Sequence, residues 1–216
     1  MQGLDLSEEI ATVYVVDDDP MVRDGLDSLL RSVGYRVRCF ASPREFMQYR
    51  HSEGASCLVL DIRMPGQSGL DFQAELARAG DAIPIVFLTG HGDVPMSVRA
   101  IKAGAMEFLL KPFREQDLLD AVAACLDKSR AQRGETALVE DLRRRYATLS
   151  QRQQEVMALV VQGLLNKQTA GELELSEITV KIHRGQVMRK MQANTLADLI
   201  RMADRLGLPA KPAGRG

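Results

Sequence analysis

The chain has no tryptophan, four tyrosines and six phenylalanines in 216 residues. Its core therefore carries little aromatic mass. Cysteine is almost as scarce. Cys39, Cys57 and Cys125 stand far apart and match no metal-ligand spacing, which excludes a disulfide framework and a structural zinc site. Isolated cysteines of this kind are expected as small buried apolar side chains. No apolar stretch approaches the roughly 20 residues needed to span a bilayer. Residues 1–11 are acidic and lack the basic and apolar segments of an export signal. The expectation is a cytoplasmic protein with no membrane partner.

Charge of one sign is missing only when the chain is taken whole. The net charge of −1 conceals 12 basic against 20 acidic residues over 1–127, a balance of −8. Residues 128–216 hold 16 basic against 9 acidic, a balance of +7. An acidic half joined to a basic half suggests two domains, with nucleic acid as a partner of the second.

Four short apolar runs each end in a residue suited to handling a phosphoryl group. Thr12–Val16 runs into Asp17, Asp18 and Asp19; Cys57–Leu60 into Asp61; Ile83–Leu88 into Thr89; Phe108–Leu110 into Lys111-Pro112. Buried strands of a parallel sheet read as near-continuous apolar runs, and such sheets bind ligands beyond the carboxyl ends of their strands. If the runs are neighbours, carboxylates, a hydroxyl and an ammonium meet on one patch. Amphipathic segments alternate with the runs: Met21–Val33, Arg44–Tyr49 behind the Ser42-Pro43 start, Gly69–Ala79, Pro95–Ala103 and Glu115–Leu126. Tyr35–Phe40 reads as a further strand. Five strand–helix alternations indicate an α/β doubly wound sheet.

Residues 128–147 are charged and mixed, and Glu135–Tyr146 carries Leu138, Leu142 and Tyr146 at helical spacing, which reads as a helical linker. From Leu149 onward the pattern is all-helical. Ser150, Asn166 and Ser176 are expected N-caps, and Asn194-Thr195 starts a fourth helix. Two short helices joined by a turn of about four residues match a helix-turn-helix. The resulting division is a flexible N-terminus over 1–10, an α/β domain over 11–127, the linker over 128–147, an all-α four-helix domain over 148–208 and a flexible tail over 209–216.

The ordered set Asp17-Asp18-Asp19, Asp61, Thr89 and Lys111-Pro112 resembles the receiver domain of two-component response regulators, a flavodoxin-like (βα)5 fold. The run Thr89-Gly90-His91-Gly92-Asp93-Val94-Pro95-Met96 is similar to the FixJ subfamily. The resemblance implies that Asp61 accepts a phosphoryl group, an activated role for a carboxylate. It implies Mg²⁺ as cofactor, held by Asp18, by Asp17 through water, by Asp61 and by the backbone carbonyl of Arg63. Lys111 and Thr89 would serve the phosphoryl oxygens, and Phe108 would be the switch aromatic. A cis Lys111-Pro112 bond belongs to the same resemblance. Arg63 and His91, each two residues past a site residue, would tune hydrolysis.

Leu149-Ser150, Gly163, Asn166-Lys167, Ala170, Leu173, Ser176, Thr179-Val180-Lys181, His183-Arg184, Met188 and Lys190-Met191 resemble the LuxR/FixJ-type helix-turn-helix. On its second helix, Val180, Val187 and Met191 share one face and should pack inward. Lys181, Ile182 and Gly185 share another and should meet base edges in the major groove. Lys167, Thr179, Arg184 and Lys190 are expected phosphate contacts. His183 reads either as a DNA residue or as a half-buried packing residue, and Arg143-Arg144-Arg145 as a solvated face. Gln153 and Thr169 depart from the acidic and aliphatic residues usual at their positions, implying a slightly less stable domain.

The implied function is a response regulator. A sensor histidine kinase phosphorylates Asp61, the receivers form a homodimer through Pro95–Ala103, Phe108–Leu110 and Glu115–Leu126, and the basic domain binds promoter DNA to regulate transcription with RNA polymerase, activation being the expected direction. The chain is then not an enzyme in the usual sense. One alternative is a constitutive DNA-binding regulator whose receiver serves only for dimerisation. Another is a Mg²⁺-dependent phosphatase of the dehalogenase type. That family expects Thr or Val where Met21 stands, and no segment here is free to cap a substrate.

Overall fold

A computed structural model describes residues 11–49, 54–90, 100–102 and 104–208. The chain divides into two compact units, one through Arg133 and one from Gly134. The first contains β1 (Thr12–Val16), α1 (Pro20–Ser32), β2 (Arg36–Phe40), α2 (Pro43–Gln48), β3 (Ser56–Asp61), α3 (Gly69–Arg78), β4 (Ile85–Thr89) and β5 (Glu107–Leu110). It also contains the start of α4 (Glu115–Ala147), a helix that continues past Gly134 into the second unit. The remaining helices are α5 (Gln151–Val161), α6 (Asn166–Leu173), α7 (Glu177–Met191) and α8 (Leu196–Arg205). The segments 1–10 and 209–216, His91 and most of Pro95–Ala103 lie outside the described residues.

The five strands form one parallel sheet in the order β2-β1-β3-β4-β5. Strands β1 and β4 are buried along their whole length and β3 along all but its first residue, so each needs an apolar side chain on both faces. Side chains alternate between faces along a strand, and the core splits by parity accordingly. Val13, Val15, Val59, Val86 and Leu88 pack with Leu26 and Leu30 of α1 and Leu118 and Val122 of α4. Tyr14, Val16, Leu58, Leu60 and Phe87 pack on the opposite side with Phe46 of α2 and Phe72 and Leu76 of α3. The few aromatics gather there: Tyr14 meets Phe46 edge-on at 5.5 Å between centroids, and Phe46 meets Phe72 at 5.7 Å, a favoured quadrupole geometry. Cys57 and Cys125 are buried, whereas Cys39 is exposed. Cys39 lies on the edge strand β2, whose outer residues no neighbouring strand covers, so the expectation of three buried thiols is corrected at that position.

Serine and proline start the helices. Ser42 accepts from Glu45 N–H ahead of Pro43, and Asp19 accepts from Met21 N–H ahead of Pro20. In the second unit, Ser150 and Gln153 form a reciprocal capping box on α5. The expected Asn166 cap is corrected: the N-cap is Leu165, which has no side-chain oxygen, and Gln168 Oε1 returns to its backbone N–H at 2.8 Å. Val156, Met157, Val160, Ala170, Val180, Val187, Met191 and Leu199 form this unit's core. Leu142 belongs to the same cluster and Tyr146 packs against it, so the end of α4 is part of the helical unit. No helix among the described residues is long and apolar enough to cross a membrane.

Candidate phosphoryl-acceptor site and nucleic-acid interface

Parallel pairing of β1, β3 and β4 brings three strand ends level. Val16 stands opposite Leu60, Asp61 opposite Leu88, and Thr89 opposite Leu110 of β5. Asp17 and Asp61 emerge there at only 1% and 6% exposure. Lys111 joins them: its Nζ donates to Asp17 Oδ2 at 2.6 Å and to Asp61 Oδ1 at 3.0 Å. Each carboxylate has a second donor. Asp17 Oδ1 accepts from Asp19 N–H at 2.9 Å, and Asp61 Oδ2 accepts from Arg63 N–H at 2.9 Å.

The electrostatics follow from that placement. Burial pushes the Asp61 carboxyl above its ordinary value, with hydrogen bonding to Lys111 pulling the other way. For Lys111, burial works against the charged form, and hydrogen bonds to Asp17 and Asp61 outweigh it, so its pKa rises. Thr89 is buried at the end of β4, and its carbonyl accepts from Lys111 N–H at 2.7 Å. The Lys111-Pro112 peptide is cis. Phe108 is half-buried against the Tyr14–Phe87 cluster. Asp18 is exposed and lines a depression with Arg63, Met64, Pro65 and Gln67. Asp19 is occupied as the α1 cap.

Among the described residues no three acidic, His or Cys side chains converge as a ready metal cage, and the ammonium of Lys111 bonds both Asp17 and Asp61. The donor set nonetheless fits Mg²⁺, which takes hard oxygens, is commonly bound through one or two carboxylates and retains several waters. Asp17, Asp18, Asp61 and the Arg63 carbonyl would hold it, and Lys111 would have to release Asp17.

Arg23 belongs to no motif. Its Nη1 donates to the carbonyls of both Asp17 and Asp18, at 2.7 and 2.9 Å, fixing the acidic loop to α1. The available signal was a cation about one turn into the helix that follows the acids. Gly69 opens α3 beside the acceptor strand. A Cβ there would lie 2.5 Å from the Asp61 carbonyl oxygen, so the chain passes the acceptor strand at backbone distance.

In the helical unit, Val180, Val187 and Met191 of α7 are buried, while Lys181, Ile182 and Gly185 are exposed on the other face. Two further residues, three helical turns apart, share the exposed face: Ile178, 74% exposed, and Arg189. Ile182 is 55% exposed. Lys167 is exposed on α6. Arg184 is half-buried and donates to Asn166 Oδ1 at 3.1 Å, linking α6 to α7. Thr179 belongs to the α7 cap, its N–H donating to Ser176 Oγ. His183 is half-buried with Nδ1 buried and unpartnered, which favours the packing role. Lys190 does not stand free as a phosphate contact: Nζ donates to Thr148 O at 2.7 Å and to Gln153 Oε1 at 2.9 Å. Nor is Arg145 a solvated residue. It pairs with Asp141 at 2.6 Å and donates to Met191 O at 3.2 Å.

A doubly wound parallel domain carrying this acidic site, joined in one chain to a helix-turn-helix unit, is the architecture of a response regulator. The family described as "Response regulator receiver domain" matches residues 13–123, and that described as "Bacterial regulatory proteins, luxR family" matches residues 147–203. The chain is 56% identical to Nodulation protein W of Bradyrhizobium diazoefficiens over 200 residues, 93% of this chain and 88% of that one. It is 41% identical to the transcriptional regulatory protein FixJ of Azorhizobium caulinodans over 206 residues, 95% and 98% of the two chains. The low-resolution structure of the response regulator StyR superposes with a TM-score of 0.79 at 47% identity, covering 91% of this chain and 99% of that one. The chain belongs to the response regulators that combine a receiver with a LuxR-type DNA-binding domain, and FixJ and Nodulation protein W are among its close homologues.

Proposed function

We propose that this response regulator controls transcription through phosphorylation of Asp61 by a sensor histidine kinase. The observation that carries the reading is the meeting of two buried carboxylates on one ammonium at the carboxyl ends of the central strands. An Asp61 carboxylate oxygen attacks the phosphorus of the kinase's phosphohistidine. The O–P bond forms as the P–N bond breaks, and the departing imidazole keeps the electron pair and takes up a proton. When bound, Mg²⁺ would supply positive charge to the phosphoryl oxygens. Lys111 leaves Asp17 and follows the new negative charge, and the Thr89 hydroxyl donates to the same group. Phe108, packed next to this site, repacks with Thr89 as a two-state element biased by a local charge event.

Phosphorylation then drives homodimerisation. Ile101 and Leu110, both on the segments assigned to the dimer face, are 46% and 52% exposed, which supports an apolar contact there. The dimer presents two copies of α7 to a pseudo-palindromic promoter site, with Lys181, Ile182 and Gly185 at base edges and Lys167 and Arg184 toward phosphates.

The test is molecular mass by light scattering on wild type and Asp61→Asn, with and without Mg²⁺ and beryllofluoride. A monomer that becomes a dimer in the wild type alone supports the switch. A wild type of unchanged mass refutes phosphorylation-driven dimerisation and moves weight to a constitutive DNA-binding protein.

A further inference from the structure

We infer that Lys190, Arg145 and Gln153 form a clamp that positions the recognition helix α7, and that Arg189, not Lys190, is its C-terminal phosphate contact. The inference rests on the DNA-binding reading above. Two helices end side by side in this unit, and each end leaves carbonyls without intrahelical partners. The cations that meet them are exchanged. Lys190, in the last turn of α7, donates to Thr148 O just beyond the end of α4. Arg145, in the last turn of α4, donates to Met191 O at the end of α7. Each helix thus caps the other, with positive charge at both negative dipole ends.

Gln153 of α5 locks the pair. Its Oε1 accepts from Lys190 Nζ at 2.9 Å and from Ser150 N–H at 3.0 Å, and its Nε2 donates to Gln186 Oε1 at 2.7 Å. Gln186 and Lys190 lie one turn apart on α7, so a single buried amide holds two successive turns of the recognition helix. The departure at position 153 is therefore a bonded junction between α5 and α7.

The direction of each side chain separates clamp from contact. At 3.6 residues per turn, Lys190 lies about 120° round the helix from Ile178, whereas Arg189 lies about 20° from it, among the exposed reading residues. Lys190 is bonded to the end of α4 and to Gln153, on a side of α7 turned away from the exposed reading residues, so it is not aimed at the DNA backbone.

The salt dependence of DNA binding tests this, because each phosphate neutralised adds about 0.9 to the slope of log affinity against log salt. The full-length chain is titrated with a duplex that the wild type selects from a randomised pool and with a random-sequence duplex of the same length. Far-UV circular dichroism confirms the helix content of each variant. Arg189→Gln is expected to lower the slope by about 0.9 on both duplexes. Lys190→Gln is expected to leave the slope on the random duplex unchanged while lowering the selected-to-random affinity ratio about tenfold, the scale of one misplaced base contact. Gln153→Met, which removes no charge, is expected to lower the same ratio at unchanged slope, and it serves if Lys190→Gln does not fold. A slope about 0.9 lower in Lys190→Gln, or a wild-type ratio in Gln153→Met, overturns the clamp alone. A wild type that selects no duplex overturns the DNA-binding reading as well.

Discussion

Replacing Lys111 with methionine removes the cation that Asp17 and Asp61 share and leaves most of the side-chain volume in place. Asp17 and Asp61 are 1% and 6% exposed, so water replaces the ammonium only in part. Breaking a buried ion pair from one side costs about 3–5 kcal/mol. The Lys111 side chain is 24% exposed, which brings the expected loss down to about 2–3 kcal/mol. For a domain of this size that is a fall of about 8–12 °C in the receiver's melting transition. The response to Mg²⁺ distinguishes this argument from a general packing defect. In the wild type the ion must exchange with the ammonium on Asp17. In Lys111→Met it meets two uncompensated carboxylates. Since a ligand stabilises by about 2.7 kcal/mol at a hundred times its Kd, tighter binding appears as a larger rise in melting temperature at the same Mg²⁺ concentration. Differential scanning calorimetry of the full chain, with the receiver transition identified by its shift in Asp61→Asn, reads both quantities. A Lys111→Met protein that melts within about 1 kcal/mol of wild type, or a wild type that gains at least as much from Mg²⁺, refutes the reasoning.

Thr169 is fully buried in the helical unit, with its Oγ1 among the buried polar atoms that find no partner. Thr169→Val keeps the shape and should stabilise that unit by about 1 kcal/mol or more, read as a higher calorimetric transition; a lower one would mean that the hydroxyl is bonded. Gly69→Ala would press a methyl against the Asp61 carbonyl oxygen and the Ile62 Cα, at 2.5 and 3.0 Å. Since both are backbone atoms, a loss of about 1–3 kcal/mol and a weakened mass change with beryllofluoride are expected, and a wild-type melt with a wild-type mass change would contradict it. Hydrogen bonds from the Thr195 side chain, its backbone N–H and then Arg201 hold the Asp198 carboxyl below its ordinary value. That stabilisation is present above the ordinary carboxylate pKa and is lost as the pH falls through the lower folded value. An NMR titration of Asp198 should show the depressed midpoint, and Thr195→Ala should raise it; a midpoint at the ordinary value would refute the cap's electrostatic role.

The strands and their chemistry were legible for one physical reason. In a parallel sheet covered on both faces, the inner strands must be apolar throughout, and the first polar residue after each run is then forced to the sheet's edge. Asp17, Asp61 and Thr89 are marked by that boundary. The inward face of α7 was legible from its period, since Val180, Val187 and Met191 recur at helical spacing. What sequence did not reveal were bonds made across elements. Lys190 differs from Arg189 by one position and the same charge, and only the third dimension shows that one reaches the end of α4. Asn166 is a good cap by residue type, yet the helix begins one residue earlier and its amide is used to hold Arg184. Cys39 follows the apolar pattern of a strand, but its strand is at the edge. Arg23 carries no motif, because its partners are backbone carbonyls that any residue would supply.

Gly185 is exposed within α7, and a Cβ built there would find nothing within 4 Å. A glycine inside a helix costs about 1 kcal/mol relative to alanine, and nothing in the protein's own packing asks for it. The residue is therefore a free variable of the fold: side chains of different size and polarity can be written there without disturbing the core beneath. If α7 reads DNA as proposed, changes on this one surface turn would redirect the regulator to a new promoter while the helical core stays as it is.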